Sequence, residues 1–284
     1  IYQMWASDMV PENQKIEMAE RFFQNRRNAI PAGDRVYVKD QQQGLLPDGW
    51  DTKKHNIVIL NSSEDEFASL DEEFEGNLYP SQYEGIKDIF ERHKDNKEYH
   101  FYLRIHPNLK DIPYAYHKKL YELANISDNV TIIPGNSPIS TYGLIDAAEK
   151  IIVFGSTAGQ EAVYWGKPVI LLARAAYSLL NICYIPESKE ELDQMIQTLL
   201  TPKDKLPALQ LAYYRINNER EPLSYFQYEI KHYQFLGKKF DIYKWKVRGR
   251  VWNKYFCIFL QFIGAVYRQQ RYPRPTKENP NAIL

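Results

Sequence analysis

Five short apolar runs constrain this chain more than any other feature: Asn56–Leu60, Phe101–Ile105, Val130–Ile133, Ile151–Phe154 and Val169–Leu172. Near-continuous apolar text of four or five residues is what strands buried on both faces require. Helical patterns separate the runs, over Tyr79–His93, Tyr114–Ala124, Thr141–Ala148 and Thr157–Trp165. This alternation predicts an α/β fold, a Rossmann-like parallel sheet with helices on both faces. A weaker run, Ile182–Ile185, leads to a helix over Lys189–Leu200 that Pro202 closes. Ahead of the sheet, residues 11–30 read as a helix with Ile16, Ala19, Phe22 and Phe23 at helical spacing. Residues 31–54, with Gly33, Gly44, Pro47 and Gly49, read as a linker holding one short strand, Arg35–Lys39. Three regions are expected: 1–54 as helix and linker, 55–205 as the Rossmann-like domain, and 206–284 as a helical, basic extension.

The chain has 284 residues and equal totals of 36 basic and 36 acidic side chains, which argues against nucleic acid as a partner. The balance conceals an asymmetry. From Lys231 onward twelve Lys and Arg face only Asp241 and Glu278, so the preceding part carries 24 bases and 34 acids. Within the basic region, Val251–Tyr267 is mostly apolar but contains Asn253, Lys254 and Gln261. That is short for a spanning helix. Its flanks are basic and aromatic, so 244–274 is expected to touch an anionic membrane peripherally. A core helix with a solvated basic rim is the competing reading. Cys183 and Cys257 are too few for a disulfide framework and wrongly spaced for zinc, which suits a reducing cytoplasm. The opening residues do not resemble a signal peptide.

Polar clusters follow four of the apolar runs. They are Asn61-Ser62-Ser63-Glu64-Asp65-Glu66; Arg104 with His106-Pro107-Asn108; Pro134-Gly135-Asn136-Ser137-Pro138; and Gly155-Ser156-Thr157. In a parallel sheet all four lie on the carboxyl-end rim, where open α/β sheets bind ligands. Ordinary helix starts account for part of this: Ser63 with Glu66 and Thr157 with Gln160 fit capping boxes, and Ser137 precedes a proline at N1. Caps leave Asn61, Ser62, Glu64, Arg104, His106 and Asn136 unexplained. Arg104 and His106 suit phosphate oxygens through charge-assisted hydrogen bonds. The amides near Ser156 and Thr157 suit a negative group, and Glu161, four residues beyond Thr157, suits ribose hydroxyls. No Asp-x-Asp follows a strand and no His/Cys cluster has metal-ligand spacing, so no metal and no other cofactor is expected. A P-loop and a Gly-x-Ser-x-Gly elbow are both absent from the sequence.

Arg104-x-His106-Pro107, then Gly155-Ser156-Thr157-x-Gly159-x-Glu161-Ala162 and Gly166-Lys167-Pro168-Val169-Ile170, resembles the bacterial capsule polysaccharide biosynthesis glycosyltransferases, the Kdo transferases among them. The resemblance covers about Asn56 to Leu200. It implies the C-terminal, nucleotide-sugar-binding half of a GT-B architecture. It implies a transferase acting in capsule or other surface polysaccharide assembly, with a nucleotide sugar and a glycan acceptor as partners. It places the sugar-donor phosphate at His106, Ser156 and Thr157 and the ribose at Glu161, with Arg104, Asn136 and Ser137 nearby. Asn61, Ser62 and Ser63 are expected to contact sugar or phosphate. Tyr177 fits an aromatic that the family places beyond the following strand. A His-Pro pair on the donor phosphate is also a habit of bacterial sialyltransferases, which implies a CMP-linked donor used without a metal.

A GT-B enzyme needs a comparable N-terminal domain, and this chain starts without Met and has only residues 1–54 before the first sheet strand. Either the sequence is a piece of a longer protein, or the enzyme half is completed by something else; a piece is expected to be inactive alone. Glu64 is the acid singled out as a catalytic candidate, ahead of Asp65 and Asp146. Three other readings remain: a module that binds nucleotide or glycan without turnover, a scaffolding domain whose basic C-terminal helix docks to membrane or partner, and an enzyme like the UDP-sugar 2-epimerases. The epimerases usually carry paired glycines after the serine and paired glutamates, where this chain has Thr157-Ala158 and the single Glu161.

Overall fold

The structure is a computed structural model and describes residues 1–30, 37–63, 78–110 and 115–218, with the strand segments 226–229, 232–235 and 238–241. Five strands form one parallel sheet: β1 (His55–Leu60), β2 (Tyr99–Arg104), β3 (Val130–Ile133), β4 (Lys150–Phe154) and β5 (Val169–Ala173). Their order is β3-β2-β1-β4-β5, and every pairing is parallel. The chain builds outward from β1 through β2 to β3, then crosses to the other side of β1 for β4. The β1/β4 boundary is therefore a topological switch point, where the connections leave a crevice at the carboxyl ends.

The helices, in chain order, are α1 (Tyr2–Ser7), α2 (Glu12–Arg27), α3 (Gln82–His93), α4 (Ala115–Glu122), α5 (Thr141–Ala147), α6 (Ala158–Tyr164), α7 (Lys189–Gln197) and α8 (Leu206–Asn218). Side chains alternate between the two faces of a strand. Ile57, Ile59, Phe101, Leu103 and Ile152 face a core closed by Ile86, Ile89 and Phe90 of α3 and by Leu192 and Ile196 of α7. Val58, Leu60, Ile151 and Val153 take the opposite face and are also buried. That side is covered by α5, which packs with β1, and by α6, which packs with β4 and β5. Serine starts several of these helices: the hydroxyl oxygens of Ser81, Ser140 and Ser188 accept from the amides of Glu84 (3.2 Å), Gly143 (2.9 Å) and Glu191 (3.1 Å).

Residues 7–213 form one compact unit, which includes α2 and the segment before β1 as well as the sheet. Phe23 of α2 stacks on Tyr164 of α6 with ring centroids 4.2 Å apart. The segment after 36 runs as turns rather than the expected strand. Tyr37–Lys39 are bend and turn, and Arg35 and Val36 lie outside the described residues. The second unit combines 1–6 with 214–284. The helical expectation for 206–284 holds over α8 and is corrected within 226–241, where β6 (Phe226–Glu229), β7 (His232–Phe235) and β8 (Lys238–Asp241) pair antiparallel. Phe226 and Tyr228 alternate with Gln227 and Glu229, a period of two in aromatic residues that suits strands. The expected membrane segment 244–274 lies outside the described residues. Among those described, no helix is long and apolar enough to cross a membrane.

Candidate functional site

At the switch point lies a cleft open to solvent. It brings together Asn61 from the end of β1, Arg104 and His106 from the end of β2, and Ser156, Thr157 and Glu161 from the end of β4 and from α6. Gly155 makes the turn out of β4 at φ 73°, a left-handed conformation that favours glycine. Asn136 and Ser137 line a neighbouring hollow, which shares Arg104, Pro107, Tyr37 and Gln41 with the cleft. Ser62 and Ser63 are buried behind the rim and line neither space.

Local bonding explains these placements. The His106 amide donates to Asn61 Oδ1 (2.7 Å), which ties the ends of β1 and β2 together. Ser62 Oγ donates to the Phe154 carbonyl (2.6 Å) and its amide to Gln82 Oε1 (2.9 Å), so Ser62 joins β1 to β4 and α3. This corrects the expected ligand role of Ser62: its hydroxyl is already spent inside the fold. Ser137 does not start α5. Its Oγ accepts from the Ile139 amide (3.3 Å), and the helix begins three residues later at the Ser140 cap. Thr157 makes no side-chain cap bond and is exposed to the cleft, whereas Ser156 Oγ accepts from the Ala158 amide (3.3 Å). Tyr177 is a buried strut, its hydroxyl donating to the Ser156 carbonyl. The absence of a Cβ on Gly159 makes that contact possible, because one there would sit 2.4 Å from the Tyr177 oxygen.

The two side chains from the end of β2 expected on a phosphate behave differently. Arg104 is 2% exposed and spends Nη1 on the Pro134 carbonyl and Nη2 on the Ser137 carbonyl (3.2 Å for the latter). It is thus a brace for the β3 loop, with only Nε left over. Burial pushes its guanidinium down to about 10, still cationic at neutral pH. His106 accepts the Asn108 amide at Nδ1 (3.1 Å), so in the neutral ring the proton sits on Nε2. Burial, and then the Arg104 charge, push it down to about 4. At neutral pH His106 is therefore a neutral N–H donor in the ligand-free cleft. The edge of Tyr37 packs against its ring, with centroids 4.8 Å apart.

Glu161 is buried, and both of its oxygens are engaged. Oε1 accepts from Arg26 Nε (2.8 Å) and Oε2 from the Tyr142 hydroxyl. Burial, together with the Glu161 charge, raises Tyr142 far above its ordinary value, so it stays a donor. Each carboxylate oxygen keeps a further lone pair. Asp146 lies off the cleft and pairs with Arg27, while Glu64 and Asp65 lie outside the described residues. Among the described residues lining the cleft, Glu161 is the sole carboxylate. No group of three or more metal-binding side chains occurs among the described residues. Arg26, Tyr37, Gln41 and Tyr142 are site residues that sequence reasoning missed. The pair Arg26-Arg27 reads simply as favourable charge at a helix C-terminus.

The family model described as capsule polysaccharide biosynthesis protein matches residues 53–193. No curated protein sequence matches the chain. Similar solved structures include two from Thermosulfurimonas dismutans KpsC. The beta Kdo 2,7 transferase is 16% identical with a TM-score of 0.42, covering 75% of this chain and 56% of that one. The beta Kdo 2,4 transferase is 16% identical with a TM-score of 0.45, covering 84% and 62%. A third is the Methanocaldococcus jannaschii UDP-GlcNAc 2-epimerase, 17% identical with a TM-score of 0.36, covering 74% and 56%. This chain spans 56% of the 2,7 transferase and 62% of the 2,4 transferase. Over residues 53–193, a stretch that holds all five strands of the parallel sheet, the chain is similar to the capsule polysaccharide biosynthesis protein family.

Proposed function

We propose that the switch-point cleft holds the nucleotide of an activated sugar, and that the chain supplies the nucleotide-binding half of a GT-B glycosyltransferase in surface polysaccharide assembly. One observation carries this reading: His106, Ser156, Thr157 and Glu161, from separate stretches of the family-matched segment, converge on a single cleft at the β1/β4 boundary. The neutral His106 Nε2–H donates to a phosphate oxygen, Thr157 adds a hydroxyl, and the free lone pairs of Glu161 receive ribose hydroxyls. As the glycosyl bond breaks, negative charge grows on the departing phosphate, and hydrogen-bond donors already fixed in place stabilise it without a metal. A CMP-linked donor fits this scheme.

The cleft offers no unengaged carboxylate among the described residues, so the base that activates the acceptor is supplied elsewhere, Glu64 being the acid to test. The same feature favours a second reading, nucleotide binding without turnover by this chain alone. Basic and aromatic residues in 244–274 support peripheral contact with an anionic membrane; vesicle flotation should weaken when the chain is cut before Lys244.

Calorimetric titration with CMP, CDP, UDP and GDP, without added metal, tests the central claim. Selective binding of one nucleotide, lost in His106→Ala, supports it. Equal binding by His106→Ala and the unaltered chain, or no binding by either, overturns it.

A further inference from the structure

The segment ahead of the sheet contributes a side chain that no motif marks. Gln41 sits in a strap fastened to the start of α5 by three bonds: the Gln42 amide to the Pro138 carbonyl (2.8 Å), the Ser140 amide to the Leu45 carbonyl (2.9 Å), and the Thr141 amide to Gln41 Oε1 (2.7 Å). Gly44 of the strap and Gly143 of α5 come so close that a Cβ on Gly143 would lie 3.2 Å from Gly44 Cα. The strap is therefore fixed, and so is the side chain. A backbone amide can only donate, so the third bond settles which end of the Gln41 amide is oxygen. The opposite end, Nε2, is buried and has no hydrogen-bond partner among the described residues. Arg104 Nε is in the same condition. Both residues line the cleft and also the adjoining hollow, whose shared wall includes Tyr37 and Pro107.

Two unspent N–H donors at one wall, one of them on a buried guanidinium, ask for an acceptor carrying negative charge. A buried donor left unmade costs more than a typical hydrogen bond contributes, and such groups usually find a partner. We propose that Gln41 is a ligand-binding residue, its Nε2 amide and Arg104 Nε together forming a seat for the anionic oxygens of a phosphate ester. This rests on the nucleotide reading for the identity of the ester but not for the seat itself.

Gln41→Glu is the sharp variant. It keeps the oxygen that receives the Thr141 amide and replaces the donor with an acceptor that repels anions. Gln41→Met keeps the bulk and removes both, and Gln43→Glu makes the same charge change on an exposed strap residue. CMP, UDP, cytidine, uridine and inorganic pyrophosphate are titrated calorimetrically into each folded chain. Gln41→Glu should weaken the binding of CMP or UDP by about 10-fold or more. Cytidine and uridine should be unaffected, and Gln43→Glu should match the unaltered chain. Gln41→Met should show a smaller loss in the same direction. Unchanged binding in both Gln41 variants, equal losses for nucleoside and nucleotide, or an equal loss in Gln43→Glu overturns the seat. Should the unaltered chain bind pyrophosphate in a Gln41-dependent way but no nucleotide, the seat stands and the nucleotide reading falls. Failure to bind either overturns both.

Discussion

The two ends of the parallel sheet handle buried polarity in opposite ways. At the amino ends of the strands, Lys150 is 1% exposed, and its ammonium donates to Glu149 Oε1 and to the Ile196 carbonyl, both at 2.7 Å. Glu149 also meets His55, and the Ile196 carbonyl belongs to the last turn of α7, where a cation is favoured. What is left over on the strand side there is amide oxygen, Asn56 Oδ1 and Asn129 Oδ1, with the Trp165 indole N–H on the helix side. At the carboxyl ends Gln160 Oε1 is left over within α6, but the remainder that belongs to residues lining the cleft has one sign: N–H groups of Gln41 and Arg104. On the strands, the end closed on itself leaves acceptors, the less costly omission. The cleft keeps donors in hand.

Arg104→Met should break this comparison most severely. It strands the Pro134 and Ser137 carbonyls and empties the seat, so a loss of about 3 kcal/mol in urea unfolding is expected, together with at least a hundredfold weaker nucleotide binding. Lys150→Met is its counterpart at the closed end. It should cost about 2 kcal/mol, yet leave the affinity of the folded protein for nucleotide unchanged. A shift in affinity there would show that the ends are not independent. Gly159→Ala drives a methyl against Tyr177 and Val153 beneath the rim and should cost about 1–2 kcal/mol by thermal melting.

Acid titration sharpens the contrast further. His106 is protonated in the unfolded chain below about pH 6.5 but in the folded one only below about pH 4. Between those values the unfolded state holds the extra proton, so stability falls as pH drops, by at most about 1.4 kcal/mol per pH unit from this residue. Buried His93 and His100 are lowered too, so His106→Gln should reduce the slope without abolishing it. The smallest effect belongs to Arg27→Gln, which loses a partly exposed pair with Asp146 and should cost under about 1 kcal/mol. A larger loss would promote the cation–π contact of Arg27 with Trp165 (4.4 Å) above the ion pair.

The strands were legible in the sequence because burial on both faces leaves an unbroken apolar run, and the observed bounds differ from those runs by at most two residues at either end. His106, Ser156, Thr157 and Glu161 were legible for a related reason, since polar residues directly after such runs fall on one rim. Gln41 and Arg26 were not. Each reaches the cleft across a long loop of chain, Arg26 meeting Glu161 at a separation of 135 residues, and no local pattern encodes such a meeting. Ser62 and Arg104 were legible as unusual residues but misjudged in part, because the sequence cannot show that a neighbouring carbonyl claims them first. The strands of 226–241 were not legible because an alternation of four residues is too short to stand out in a basic, Tyr-rich stretch.

That separation of 135 residues also dictates when the cleft can exist. Contacts distant in sequence form slowly, because the loop entropy is lost before the contact compensates it. During synthesis α2 leaves the ribosome long before α6, so its Phe23 face waits for Tyr164, its stacking partner, to be made. The two donors of the seat are brought together only after β2 has formed and α5 has fixed the strap. The cleft is thus among the last parts of residues 7–213 to be completed, and the nucleotide binding proposed for it should report the arrival of the whole unit rather than of any single half.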